Sequence, residues 1–320
     1  MALPPDTAPD RSNWTLWLII LVVVGIAGAA GLMYVLTTRS TLVLRTTPSD
    51  VTVEVDGEIA GVTTDSSMAI SVSAGDVQVR LRREGYVTEE LVVPVRRGEV
   101  VEIEQVMRPP GMVYVRGGRF RMGADDGAFS ERPAHDVALK PYYMDLTEVT
   151  VRGYREYASN YASSFAGGDM PATNIAWSEA DAFCKSIGKR LPTEAEWERA
   201  CAGPSGMNYA YGDTFDPDKG RSGVALKDGP APVGSFSEQD ARAQDLTGNV
   251  WEWCSDWYGR DYYRDSPVQD PKGSETGERH VLRGGAWFSN ASFSNCTHRP
   301  GNIRSERDPS FGFRCVKDLN

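Results

Sequence analysis

Asp245-Leu-Thr-Gly-Asn-Val-Trp-Glu-Trp-Cys254-Ser-Asp-Trp257 places three tryptophans and a glutamate within seven residues. No helical stripe accommodates Trp251, Trp253 and Trp257 together, whereas a period of two puts Trp251, Trp253 and Ser255 on one face of a strand. Each tryptophan buries a large ring and needs an acceptor for its indole N–H. The density therefore predicts a rigid, loop-rich core built around aromatic anchors. Asp245, the Gly248 and Val250 carbonyls and Glu252 offer oxygens at short, uneven intervals, the donor type taken by a hard cation such as calcium. The competing reading is a buried Glu252 held by backbone amides.

The 320 residues suffice for two or three domains, with 24% charged and 41% hydrophobic residues, as in ordinary globular protein. A formal charge of −10 excludes nucleic acid as a main partner, because phosphate binding requires clustered Lys and Arg. Residues 1–13 read as a disordered polar tail. No charged side chain occurs from Ser12 to Thr38. Within that run, residues 14–36 would span about 34 Å as a helix, enough to cross a bilayer core. Trp14, Trp17 and Tyr34 stand near its ends, where amphipathic rings prefer the interface. A signal peptide would have a shorter apolar segment and a basic head, so a single membrane anchor is expected. Gly25 with Ala29 and Ala27 with Gly31 give small-xxx-small spacing, which leaves oligomerisation open.

Residues 41–108 change to short alternating runs: Thr41-Leu-Val-Leu-Arg-Thr46, Val51-Thr-Val-Glu-Val55, Ile70-Ser-Val-Ser73, Val77-Gln-Val-Arg-Leu-Arg82 and Leu91-Val-Val-Pro-Val95. Asp56-Gly57 is a two-residue hairpin turn. With Thr46-Thr-Pro48, Val53-Glu-Val-Asp-Gly57, Ala74-Gly75 and Arg83-Glu-Gly-Tyr86, this stretch resembles the PEGA domain, a small all-β sandwich of bacterial envelope proteins. The resemblance implies a spacer or surface-contact module.

Pro109-Pro-Gly111 punctuates the boundary to residues 109–320. Thr150 is expected to cap a helix running to about Tyr161, Ser178 another over about 179–187, and Thr193 with Glu196 a third over 194–201. Residues 202–244, rich in Gly, Asp and Pro, read as a long ordered loop.

Glu131-Arg-Pro-Ala-His135, Tyr143-Met-Asp-Leu-Thr-Glu-Val-Thr150, Gly188-Lys-Arg-Leu-Pro-Thr-Glu-Ala-Glu-Trp-Glu198, Ala231-Pro-Val-Gly234, Gly248-Asn-Val-Trp-Glu-Trp253, Leu282-Arg-Gly-Gly285 and Gly312-Phe-Arg314 appear in that order. Residues 109–320 thus resemble the formylglycine-generating enzyme (sulfatase-modifying factor) family. The resemblance implies an α+β chain whose main domain has that family's C-type-lectin-like fold, preceded by the PEGA-like sandwich and the transmembrane helix. It also implies a structural calcium held by Asp245, the Gly248 and Val250 carbonyls and Glu252, with a second calcium loop within 216–232. By that resemblance Cys184 pairs with Cys315 and Cys201 with Cys296, while Cys254–Cys296 stands as an alternative. Disulfides would place the domain outside the cytoplasm, with residues 1–13 inside.

The family's oxidase holds copper(I) between two cysteines five residues apart after Arg-Gly-Gly. Here Arg283-Gly-Gly-Ala-Trp-Phe-Ser-Asn-Ala-Ser-Phe-Ser294 puts Ser289 and Ser294 at those positions. Hydroxyls do not replace thiolates on copper(I), and no two of the five cysteines are five apart. Copper-dependent formylglycine formation is not expected, and no catalytic residue is assigned. His135, His280 and His298 are too widely spaced in sequence to be claimed as a metal triad. The expected function is recognition of a protein or glycan ligand in the cell envelope, through a surface of Trp287, Ser289, Asn290, Ser294 and His298. The alternative is an oxidoreductase acting on a peptide or protein through a different metal site.

Overall fold

The computed structural model describes residues 39–236 and 243–319. The expected tail 1–13 and membrane helix 14–36 lie outside the described residues. Among those described, no helix is long and apolar enough to cross a membrane. The chain divides between Met107 and Arg108 into two compact units.

The first unit contains β1 (Ser40–Thr47), β2 (Thr52–Val55), β3 (Glu58–Val62), β4 (Met68–Val72), β5 (Gly75–Arg82), β6 (Glu89–Val95) and β7 (Val100–Val106). They form a three-stranded sheet, β4-β1-β7, and a four-stranded sheet, β3-β2-β5-β6. The alternation legible in the sequence sends Leu42, Leu44, Val53, Val77, Val79 and Leu81 into a shared apolar core. Two strands the alternation did not reveal, β3 and β7, are edge strands that bury no residue fully.

The second unit begins with β8 (Met112–Val115), β9 (Gly118–Met122), β10 (His135–Leu139) and β11 (Tyr142–Asp145). Three helices follow: α1 (Val151–Tyr157), α2 (Trp177–Ser186) and α3 (Glu194–Ala202). After the long loop come β12 (Trp251–Trp257), β13 (Arg279–Arg283), β14 (Gly301–Ile303), β15 (Phe311–Gly312) and β16 (Val316–Asp318). The sheets are β10-β9, β16-β11-β8 and β14-β13-β12-β15. Thr150 caps α1 by accepting from Gly153 N at 3.0 Å, and Thr193 with Glu196 forms the capping box of α3. Ser178 does not cap α2. Its N-cap is Ala176, whose N–H donates to the Glu179 carboxylate at 2.9 Å, and Arg307 braces Glu179 from outside.

The tryptophan spacing becomes a set of anchored indoles. Trp253 donates to Ile175 O at 2.9 Å, Trp177 to Cys254 O at 2.8 Å and Trp197 to Glu252 Oε2 at 2.8 Å. The disulfides Cys184–Cys315 and Cys201–Cys296 tie α2 and α3 to the C-terminal segment, leaving Cys254 a free buried thiol.

Two titratable groups sit back to back under this frame. Asp256 accepts from Glu194 N and the Ser255 hydroxyl, and burial, with the nearby Glu194 charge, pushes its carboxyl up to about 7. His280 is sandwiched between Trp177 and Trp257, with ring centroids 3.7 and 3.8 Å away. Its Nδ1 donates to the Ser255 and Asp256 carbonyls, and burial pulls its pKa down to about 4. Asp256 holds a proton in the fold that the unfolded chain releases at about pH 4, so its contribution is lost as pH rises from about 4 to 7. That loss amounts to on the order of 4 kcal/mol. His280 stays neutral in the fold, so its contribution is lost as pH falls from about 6.5 to 4. We expect Asp256→Asn to flatten the decline of unfolding free energy towards neutrality, and His280→Gln to flatten the acid limb. Denaturant titrations across pH 4–7 that showed unchanged slopes in both variants would contradict these assignments.

Candidate functional site

The segment after β13 turns on Gly284 and Gly285, whose φ angles are +92° and +81°. A Cβ on Gly285 would stand 3.0 Å from Phe293 O and closer still to the Ser294 hydroxyl. Only glycine lets residues 286–294 fold back this tightly.

That loop sorts its side chains sharply. Trp287 is buried, donates its indole N–H to Leu226 O at 3.0 Å and packs edge-on against Phe165. Ser289 Oγ accepts from Ala286 N at 2.9 Å. Ser222 Oγ donates to Ser289 O at 2.7 Å, so Ser294 Oγ, 2.8 Å away, is the donor to Ser222 Oγ. Trp287, Ser289 and Ser294 therefore face inward, at 2%, 6% and 0% exposure. The five residues expected to share one surface do not: only Asn290 and, in part, His298 reach solvent. The small polar serines are consumed by hydrogen bonds to one another and to the backbone. The loop's exposed members are Phe288, Asn290, Ser292 and Phe293.

His298 is fixed on this outward side. Its N–H donates to Asn295 Oδ1 at 2.7 Å, and Nδ1 lies 3.1 Å from Glu131 Oε1. Glu131 is buried and also accepts from Thr297 Oγ1 at 2.9 Å. Burial works to raise the Glu131 carboxyl, but hydrogen bonds from His298 and Thr297 hold it below the usual range. Phe293 and Trp251 flank the imidazole, with centroids at 4.9 and 5.9 Å. Glu131, Phe288, Phe293 and Trp251 were not assigned to a site from sequence. The Glu131-Arg-Pro motif and, for Trp251, the Gly248–Trp253 motif were the available signals.

The expected cation ligands lie together on the other side of β12, in altered company. Glu252 is fully buried, and both its oxygens are engaged: Arg314 donates to each at 2.7 Å, and Trp197 adds a third bond to Oε2. Asp245 accepts from the Gly234 and Phe236 amides. Gly248 sits at φ +85°, its Cα against Arg221 O, where a Cβ would clash. Val250 is buried behind Trp287. Glu148, not anticipated from sequence, is buried facing Asp245; its Oε1 accepts from Asn249, and the two carboxyls lie within hydrogen-bonding reach of one another. Burial, then mutual repulsion, raises the Glu148 carboxyl well above its ordinary value, and burial raises that of Asp245. Among the described residues, no three His, Cys, Asp or Glu side chains converge as metal ligands. Two facing carboxyls that repel when both are charged can share either a proton or a hard cation.

Copper(I) does not fit the serine pair, whose hydroxyls are hard donors already spent in hydrogen bonds. Nor does Cys254 offer a thiolate, since burial raises its pKa well above the ordinary value.

Residues 97–319 match the sulfatase-modifying factor enzyme 1-like domain. The chain belongs to that family. Residues 39–110 match the PEGA domain, which precedes the sulfatase-modifying-factor domain. Formylglycine-generating enzyme of Streptomyces coelicolor is 31% identical over 66% of this chain and 90% of its own length. Inactive C-alpha-formylglycine-generating enzyme 2 of Mus musculus is 29% identical, over 65% of this chain and 85% of its own. Serine/threonine-protein kinase Pkn1 of Chlamydia trachomatis is 31% identical over 68% of this chain, which spans only 40% of that relative's length. Among solved structures, Treponema denticola variable protein 1 shares the fold, with a TM-score of 0.61 and 24% identity over 65% of this chain and 94% of its own.

The inward serines make a test of this family loop. Ser289→Ala orphans the buried Ala286 amide and should cost about 1–3 kcal/mol, whereas Asn290→Ala should be neutral within about 0.5 kcal/mol. Urea unfolding of the two variants checks the order; equal effects would place Ser289 on the surface after all.

Proposed function

We propose that this family member is a recognition protein of the cell envelope. It binds a protein or glycan ligand through the outward face of the 286–298 segment, where Asn290 and His298 lie beside Phe288, Phe293 and Trp251. One observation carries this reading. The serines at the implied cysteine-pair positions are locked in an inward hydrogen-bond chain, while their neighbours turn aromatic and polar groups to solvent. Rigid aromatic area with adaptable polar contacts is the mixture that recognition surfaces use. The murine relative's name, an inactive formylglycine-generating enzyme, supports the same direction. In this reading residues 14–36 anchor the chain, the tail 1–13 is cytoplasmic, and both folded units lie outside. The two disulfides support that compartment.

The test is retention of envelope glycans or proteins on the immobilised full-length chain. Asn290→Ala should lower retention about tenfold and leave the melting temperature unmoved, because that side chain is exposed. His298→Ala should lower retention as well, with some loss of melting temperature, because it strips the buried Glu131 of a partner. Conversion of a cysteine-containing sulfatase peptide to its aldehyde by the wild type, with uptake of oxygen, would replace recognition by the oxidoreductase reading.

We further propose a structural calcium at Asp245 and the Gly248 and Val250 carbonyls. Glu148 would supply the second carboxylate, and Glu252 would neutralise Arg314 beside it. An ion bound only by the fold stabilises it by mass action. Chelation should therefore lower the wild-type melting temperature, and Asp245→Asn or Glu148→Gln should abolish the difference. A variant that still responds to chelator would move the ion elsewhere.

A further inference from the structure

Arg299 follows His298 directly and is buried. Its Nε and Nη2 hold Glu194, while Nη1 donates to Ser130 O at 3.1 Å and Gly259 O at 3.0 Å. One guanidinium thus staples the Phe129–Glu131 turn and the Gly259 corner to the base of the His298 face. On the surface above this staple, Phe129 is 43% exposed. The Arg260 guanidinium carbon lies 4.4 Å from its ring centroid and that of Arg264 5.4 Å. Both arginines are exposed. Arg264 is 3.7 Å from Asp261, and Arg260 has no carboxylate partner among the described residues. Two guanidiniums gathered on one exposed ring run against a chain of formal charge −10.

We propose that Phe129, Arg260 and Arg264 form the anion-reading end of the recognition face and that its ligand is an acidic peptide segment. This rests on the recognition reading of the adjoining His298 face. A stacked guanidinium keeps its N–H edge available, as that of Arg260 is here, and such forks match carboxylates strongly enough to compete with the exposed Asp261 for Arg264. At the other end, the exposed apolar side chain of Phe293 takes an aliphatic or aromatic side chain of the same segment. A pyranose needs an open aromatic face to stack on. Here guanidiniums cover the Phe129 ring, and the Phe293 ring packs at 31° against His298. At the Phe129 end guanidinium forks, not an open ring, are the reading element, and that suits a peptide carrying carboxylates.

The experiment is fluorescence anisotropy of the full-length protein with short labelled peptides that alternate phenylalanine with glutamate, glutamine or lysine. The Phe–Glu peptide should bind about tenfold tighter than Phe–Gln, with the lysine peptide weakest, and added salt should shrink the advantage. Arg260→Gln with Arg264→Gln should erase the glutamate preference without moving the melting temperature. Equal binding of the glutamate and glutamine peptides by the wild type, or a preference that survives in the double variant, overturns the proposal. So does an arginine-dependent capture of polygalacturonate without capture of the acidic peptide, which would make the ligand a glycan. Loss of preference in the arginine variant, with binding unaffected by Asn290→Ala and His298→Ala, keeps this subsite and overturns the face beside it. The opposite pattern overturns the subsite alone.

Discussion

A carboxylate with no access to water organises the C-terminal unit. Glu252 lies in the middle of the structure with its two oxygens held by the Arg314 fork and the Trp197 indole. A buried charge left unpaired costs several kcal/mol, so the packing around Glu252 must bring Arg314 with it. Arg314 spends its remaining donors on the carbonyls of Asp145, Leu146 and Gln244. One guanidinium thereby fixes the end of β11, the close of the long loop and the C-terminal segment against β12. Because Glu252 lies opposite Arg283 in the antiparallel ladder and beside Gly312 in the parallel one, the same pair sets the register of the sheet.

That register carries order outward to the candidate site. Arg283 is the second buried guanidinium: it binds Glu198 and donates to the carbonyls of Cys296, Thr297 and His298. Arg299 is the third, joined to Glu194. Glu194 and Glu198 lie one turn apart on α3, so a single helix presents both acids to two arginines that bracket the half-buried His298. Pairs buried this deeply contribute little net stability and much positional definition. The backbone under His298 is held by charge-assisted bonds, and only its side chains remain to vary.

Much of this was legible because it is local. The period-two spacing of Trp251 and Trp253 gave β12, the Thr193–Glu196 capping box gave α3, and the Asp56-Gly57 turn gave the hairpin of β2 and β3. The cysteine pairing came from family resemblance, and the structure agrees with it. What escaped depends on partners far along the chain. Nothing near Ser294 announces that its hydroxyl meets Ser222, 72 residues earlier, so serines alternating with aromatics read as surface. Glu148 sits in a strand-to-helix turn, and its role follows only from Asp245 and Asn249 about a hundred residues later. Nothing near Glu252 shows that it also meets Trp197 and Arg314, which lie 55 and 62 residues away.

The serine pair also explains how such a loop keeps its shape without a soft metal. A thiolate pair bound to copper would cross-link two points of the loop through the ion. Here Ser289 pins the Ala286 amide, and Ser294 reaches Ser289 through Ser222, so the same two points are joined by neutral hydrogen bonds of about 1 kcal/mol each. The cross-link is weaker than a metal centre, but the loop does not depend on it alone. Gly284 and Gly285 set its entry, and the arginine network fixes its exit at His298. Between those fixed ends, Phe288, Asn290, Ser292 and Phe293 bear no structural duty of comparable weight. Binding surfaces are placed on loops of this kind, where the scaffold holds the backbone and the exposed side chains are free to change.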